Sequence, residues 1–282
     1  MKSPKISPCC LTIAGSDSGG NAGIQADLRA FHAYGLHACT VLTALTAQNP
    51  SGVSAIHPVP AEFVTAQLRQ VLGTYSIRAL KTGMLGTDEV IRAVARALKS
   101  HTEIKLVIDP VMVATSGARL ISESAIAVLA SELLPLATLI TPNLPEAEIL
   151  CGHAASAASA RGRTAKEARE LARELYTRYG VAVLVKGGHG ANVAAEDVLY
   201  DGQAFHAFRL PWVKNPISTH GTGCSLAAAL ASELARGADL VSAVRGAKNY
   251  VHRAILNSYY VGSNCGVLGF VKKRTLSQSS RR

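Results

Sequence analysis

His220, Gly221, Thr222, Gly223 and Cys224 stand in a row directly before an Ala/Leu-rich run. Glycines let a backbone approach a ligand closely. The start of the helix that follows offers unpaired N–H groups and the positive end of a dipole. Together these features make a cradle for an anion. Cys224, in the first helical turn, is placed to take a proton from an attacking hydroxyl. A helix start lowers a thiol pKa, and a phosphate bound beside it raises the pKa again. The same five residues also read as a glycine-rich helix cap with a buried cysteine. No G-x-x-x-x-G-K-[ST] loop occurs in the chain, so a Walker-type phosphate loop is excluded.

A second group is Asn143 and Glu146, an N-x-x-E at a strand-to-helix junction. Oxygen donors beside a phosphate suit Mg²⁺, which is held through one or two carboxylates and several waters. The same pair also reads as a helix N-cap with its capping-box partner. Both readings stand at this point.

These residues need a scaffold, and the chain supplies one. Strand-like runs fall at 11–14, 39–45, 77–82, 105–108, 138–141, 181–185, 193–200 and 204–210. Several are continuous Val/Ile/Leu runs, as in strands buried on both faces. Amphipathic segments lie between them, at 24–34, 60–72, 87–98, 122–134, 164–179, 224–236 and 238–257. This alternation predicts an α/β fold with a mostly parallel central sheet and helices on both faces. Asp201-Gly202 between two strand-like runs predicts one late antiparallel hairpin with a two-residue turn. The segment 154–163, poor in bulky apolar residues, reads as a surface loop.

Six predicted strands run into polar or glycine-rich clusters at their carboxyl ends. They are Gly15–Gly20 by number 15–20, then Gln48-Asn49, Lys81-Thr82-Gly83-Met84, Asp109-Pro110, Thr141-Pro142-Asn143 and Lys186-Gly187-Gly188-His189. Turn chemistry explains one such cluster. Six along one sheet edge point to a ligand crevice, because that is where open parallel sheets bind.

Composition agrees. Apolar types make up 48%, charged types 17% and aromatics 5% of 282 residues. A large Ala/Val/Leu/Ile core is therefore available, and disorder is excluded for most of the chain. No apolar run approaches the ~20 residues of a membrane span. The run 9–14 is too short for a signal-peptide core, so a cytoplasmic protein with no membrane partner is expected. The net charge of +10 raises nucleic acid as a partner. However, five of the 29 basic residues (Lys272, Lys273, Arg274, Arg281 and Arg282) lie in the acid-free stretch 261–282. No aromatic residues interleave with basic ones for base stacking, so no nucleic-acid partner is expected. The six cysteines include no C-x-x-C pair. That spacing predicts neither a zinc motif nor a disulfide framework, but small buried apolar residues.

Seven segments together resemble the ribokinase-like superfamily. Within it they resemble the bacterial hydroxymethylpyrimidine/phosphomethylpyrimidine kinases. The segments are 13–28 (IAGSDSGGNAGIQADL), 43–50 (TALTAQNP), 81–85 (KTGML), 107–113 (VIDPVMV), 141–149 (TPNLPEAEI), 185–190 (VKGGHG) and 219–225 (THGTGCS). The resemblance implies a three-layer ribokinase-like fold over 11–260; the residues outside it read as an extension at 1–10 and a basic, flexible tail at 261–282, which lacks the His-rich ending common in the family. It implies phosphorylation of a pyrimidine alcohol and then of its monophosphate, with ATP and Mg²⁺, in a homodimer. It implies Cys224 as catalytic base, and Gly221, Thr222, Gly223 and Lys186 on the phosphates. Gln48, Asp27, Ala22, Met84 and Val111 fall on substrate positions. Asn143, Glu146 and Asp109 fall on metal-side positions. A Gln amide carries both the donor and the acceptor that an aminopyrimidine edge requires. Pyridoxal or pyridoxine kinase is the alternative within the superfamily, and a non-catalytic vitamin-sensing relative is another. Asn21 departs from the family, which usually has a third glycine there; Asn tolerates the left-handed conformation open to glycine, and the loop conformation stays open at this point.

Overall fold

The computed structural model describes residues 7–113, 120–153, 165–187, 194–263 and 265–269. The expected loop at 154–163, Gly188-His189 and the basic residues from 272 onward lie outside these. Among the described residues, one nine-stranded sheet forms the middle layer. In chain order its strands are β1 (Cys9–Asp17), β2 (His37–Asn49), β3 (Gly52–Pro58), β4 (Ile77–Thr82), β5 (Lys105–Ile108), β6 (Leu139–Ile140), β7 (Ala182–Val185), β8 (Ala194–Tyr200) and β9 (Phe205–Pro211). The spatial order is β3-β2-β1-β4-β5-β6-β7-β8-β9. The inner pairs from β2 to β7 are parallel, while β3, β8 and β9 pair antiparallel.

Side-chain alternation along the strands builds two cores. On one face, Leu11, Ile13, Leu80 and Ile108 meet α2 (Ala61–Leu72), α3 (Asp88–Leu98) and α6 (Ala165–Tyr179). On the other, Cys10, Ala79 and Val107 meet α1 (Gly23–Ala33), α7 (Thr222–Ala235) and α8 (Leu240–Leu256). The expected three-layer arrangement is the one found. No helix among the described residues is long and apolar enough to cross a membrane.

Four local expectations are corrected. First, β2 continues through Gln48 and Asn49 and turns directly into β3, so a second antiparallel pair lies early in the chain. β3 is mostly exposed, and an exposed strand lacks the apolar run that marks a buried one. Second, the segment 122–134 is not one helix. α4 (Glu123–Val128) passes into a π turn at Leu129–Leu133 and a 3₁₀ turn at Leu134–Leu136. Pro135 has no N–H to donate and its ring crowds the preceding turn, so the α-helix cannot continue.

Third, the late hairpin has a four-residue loop, since Tyr200 pairs with Phe205. The Asp201 carboxylate accepts from the Gln203 and Ala204 amides and closes the loop. Fourth, the chain ends differ: Cys9 and Cys10 belong to β1, and β10 (Tyr259–Gly262) with β11 (Cys265–Val267) forms a small ribbon where a tail was expected. Leu268 is buried behind that ribbon and the Gly269 amide donates to the Ala254 carbonyl. In the loop left open by Asn21, Gly20 and Gly23 take the positive φ values and Asn21 does not.

Candidate active site

The carboxyl ends of the central strands and the start of α7 surround one cavity of about 850 Å³. Gly221 has a φ of 84° and precedes α7 with no side-chain cap. A side chain there would collide with the Asn21 carbonyl oxygen. Only glycine permits this junction, which sets the first amides of α7 toward the cavity beside the 15–23 loop. Thr222, Gly223 and Cys224 all line the wall.

The loop 15–23 is held from within by Asp17. Its carboxylate accepts from the amides of Gly19 (2.8 Å), Asn21 (2.9 Å) and Ala22 (2.8 Å). Burial works against that charge, but the His220 ring and these amides hold the carboxyl below its ordinary range. Ala22, Met84 and Val111 line the same cavity.

Gln48 lies at the hairpin end of β2, with its Nε2 3.4 Å from His220 Nε2 and its Oε1 3.1 Å from the Thr46 hydroxyl. Thr46 has one hydroxyl proton, and the Ser16 carbonyl also competes for it at 2.9 Å. His220 Nε2, which faces the Gln48 amide, is also 3.8 Å from the Asp17 carboxylate.

Beneath Gly223 sits an ionic cluster. Lys186 Nζ is 2.7 Å from Asp109 Oδ1 and 4.0 Å from Glu146 Oε2. Thr141 donates a hydroxyl to the same Asp109 oxygen. α5 (Leu144–Cys151) starts with a reciprocal capping box: Asn143 Oδ1 accepts from the Glu146 amide and Glu146 Oε2 accepts from the Asn143 amide. Burial pushes the Glu146 carboxyl up to about 7, with Lys186 opposing and Asp109 adding to the rise. Two acids therefore share one cation. That surplus of hard oxygen and negative charge fits Mg²⁺, with Asp109 and Glu146 as donors. Asn143 brings less, because its carbonyl oxygen is already taken by the cap.

Burial also pushes the Cys224 thiol up, with Lys81 opposing. The sequence reading expected the helix start to lower it. Desolvation wins because the thiol faces an enclosed wall with Asp27 and Asp109 nearby.

Asp27 does not line the cavity. It is fully buried one layer behind, where it accepts from Thr12 Oγ1 (2.6 Å) and pairs with Lys81 Nζ (3.0 Å). Lys81 reaches the wall instead. Burial alone would push its pKa down, and the Asp27 carboxylate holds the ammonium charged. Asp109 is buried as well, but its Oδ2 lies beneath the cavity-lining Gly223, next to the Lys186 ammonium. Sequence reasoning assigned no role to Asp17, His220 or Lys81. Each stands inside a quoted motif, but only the folded geometry shows its partner. The lining also includes the apolar Leu210, Trp212, Val251 and Ile255, alongside Asp197, Lys248 and His252.

Residues 17–269 match the family model described as phosphomethylpyrimidine kinase. The hydroxymethylpyrimidine/phosphomethylpyrimidine kinase of Rhizobium meliloti is 47% identical over 247 residues, covering 87% of this chain and 89% of that one. The thiamine biosynthesis bifunctional protein ThiED of Geobacter sulfurreducens is 45% identical over 93% of this chain, which spans only 52% of that longer protein. Among solved structures, an ADP complex of Bacillus subtilis pyridoxal kinase superposes with a TM-score of 0.83 at 34% identity, covering 94% of this chain and 97% of that one.

Proposed function

The chain belongs to the phosphomethylpyrimidine kinase family and is a phosphotransferase, and from that premise we propose that its cavity joins ATP to an aminopyrimidine alcohol. The γ-phosphoryl group passes first to the hydroxymethyl oxygen of 4-amino-5-hydroxymethyl-2-methylpyrimidine and then to the resulting monophosphate. The observation that carries this reading is the position of Cys224. It stands in the first turn of α7, on the wall of the cavity that Gln48 also lines and that Lys186 reaches from beneath Gly223.

Gln48 presents an amide to the ring edge, backed by His220 and Thr46. The amides of Thr222, Gly223 and Cys224 donate to the transferring phosphoryl oxygens, where charge develops. Lys186 adds a cation to the same oxygens. Cys224 accepts the proton of the attacking hydroxyl in the first transfer. Asp109 and Glu146 are the residues that would hold Mg²⁺, which neutralises phosphate charge when bound. The Trp212 ring in the cavity lining suits the flat face of a purine. Positioning and charge neutralisation, rather than covalent chemistry, supply the rate.

Pyridoxal or pyridoxine is the second reading, favoured by the structural likeness to a pyridoxal kinase. A coupled ATP-consumption assay with both alcohols decides between them. We expect the higher kcat/KM with the pyrimidine, and a higher value with pyridoxine overturns the choice. Ligand binding without ATP turnover on any ring alcohol would support a sensor instead. A homodimer and a cytoplasmic location belong to the same reading. Light scattering that gives the mass of one chain would remove the dimer.

A further inference from the structure

At the opposite edge of the sheet from the cavity, the amino ends of β1 and β2 bring together three soft ligands. Cys9 and His37 are direct partners in the parallel ladder, and Cys39 lies two residues beyond His37. All three side chains therefore leave the same face. The Cys9 and Cys39 sulfurs are 3.5 Å apart. The two sulfurs and a His37 ring nitrogen all lie within 4.8 Å of one another. Cys9 and Cys39 are buried, whereas His37 is exposed and its ring stacks on Tyr75 with centroids 5.5 Å apart.

A disulfide is not what this geometry prepares. With a strand spacing of ~4.8 Å and two residues of ~3.3 Å rise between them, the Cys9 and Cys39 Cα atoms stand about 8 Å apart. A disulfide needs less than about 7 Å. A metal ion relaxes that limit. Tetrahedral zinc, with Zn–S ~2.3 Å and Zn–N ~2.0 Å, places its ligand atoms roughly 3.5–3.8 Å from one another.

We propose that Cys9, Cys39 and His37 form a binding site for Zn²⁺, with an open fourth position toward solvent beside the exposed imidazole. Two thiolates and one imidazole are the donor set that zinc takes in preference to Mg²⁺ or Ca²⁺. Each thiol gives its proton to solvent as its sulfur binds, so two protons leave per ion and no oxidant is needed. The ion would clasp the start of β1 to the start of β2, while the far ends of these strands carry the 15–23 loop and Gln48. The sequence reading excluded zinc because no C-x-x-C is present. Adjacent strands supply the spacing that the linear sequence lacks.

The test uses the full chain, fully reduced, with Co²⁺ as the spectroscopic probe. We expect one equivalent to give a sulfur-to-metal charge-transfer band and the visible bands of tetrahedral coordination, and one equivalent of Zn²⁺ to bleach both. Cys39→Ser should abolish the two-thiolate spectrum. His37→Ala changes an exposed position and spares the core, so the fold survives even if Cys39→Ser fails to fold. It should weaken Co²⁺ binding at least about tenfold, a loss that disturbing outer-shell support alone can cause. Cys151→Ser is the control, because Cys151, His153 and Glu174 form the other such cluster among the described residues. It should leave the spectrum intact. No charge transfer in the parent chain, its persistence in Cys39→Ser, an unchanged affinity in His37→Ala, or its loss in Cys151→Ser would each overturn the assignment.

Discussion

Cys224 and Gln48 line the same cavity, and single substitutions separate the different tasks proposed for them. In the first phosphorylation the acceptor is a neutral alcohol, so a positioned base is worth roughly 10²–10⁴-fold. In the second the acceptor is a phosphate monoester with a second pKa near ~6, already ionised at neutral pH. Cys224→Ala should therefore lose most of the alcohol-kinase rate and keep much more of the phosphate-kinase rate. Assays started from the alcohol and from purified monophosphate check this, and equal losses would remove the base role. Burial holds the thiol protonated, so the alcohol step should also quicken as pH rises above neutral while the phosphate step stays flat. Gln48→Leu keeps the volume but removes both hydrogen-bonding groups. An unpaired buried partner costs ~1–3 kcal/mol. The KM for the pyrimidine should rise about tenfold or more, with the KM for ATP unchanged. An equal rise in both would take Gln48 out of the ring-binding site.

Two element starts, those of α5 and α7, border the part of the cavity to which the proposed function assigns phosphate and metal. Glu146 closes the capping box of α5 and also faces Lys186. Glu146→Gln preserves an acceptor for the Asn143 amide, so a purely capping role would cost ~1 kcal/mol or less and leave activity intact. A metal role instead predicts that the variant needs a higher Mg²⁺ concentration for half-maximal rate, which a titration measures. The carboxyl also has a pH signature. Its pKa rises from 4.5 to about 7 on folding, so between those values the folded chain keeps a proton that the unfolded chain has lost. Its contribution to stability is full below about 4.5, falls as pH rises through the window, and is constant above it. Denaturant melts at pH 5 and pH 7 should show a smaller pH-dependent loss in Glu146→Gln. At α7, Gly221→Ala forces a side chain into left-handed backbone and against the Asn21 carbonyl. Displacing a preorganised donor costs about 10²-fold in rate. Both phosphorylation steps should fall together, unlike in Cys224→Ala, and a full-rate variant would mean that the cradle is not used.

At the scale of the whole molecule, Lys81 of β4 and Asp27 of α1 form a fully buried pair, with Thr12 of β1 donating to the same carboxylate. Lys81→Met leaves a buried carboxylate without its cation and should cost about 3–5 kcal/mol, read from chemical denaturation. Lys81→Met combined with Asp27→Leu removes both charges and should recover most of that loss. No recovery would show that the pair is not the source. This pair also marks the boundary of what the sequence reveals. Local signals were legible: β4 and β5 have the bounds that their apolar runs predict, and Gly35 stops α1 as a glycine should. The row from His220 to Cys224 sits at a helix start, as its glycines require. The N-x-x-E pair is the cap that its spacing describes. Periodicity, caps and turns depend on neighbours within a few residues, so the chain itself records them. The pairing of Lys81 with Asp27 joins residues 54 apart, and that of Lys186 with Asp109 joins residues 77 apart. Whether Asp27 faces the cavity or supports its wall, whether burial or the helix start governs the Cys224 thiol, and whether Gln48 ends a strand or continues into a hairpin all depend on which distant segments pack together. Desolvation and ion pairing act through space, so only the tertiary structure decides them.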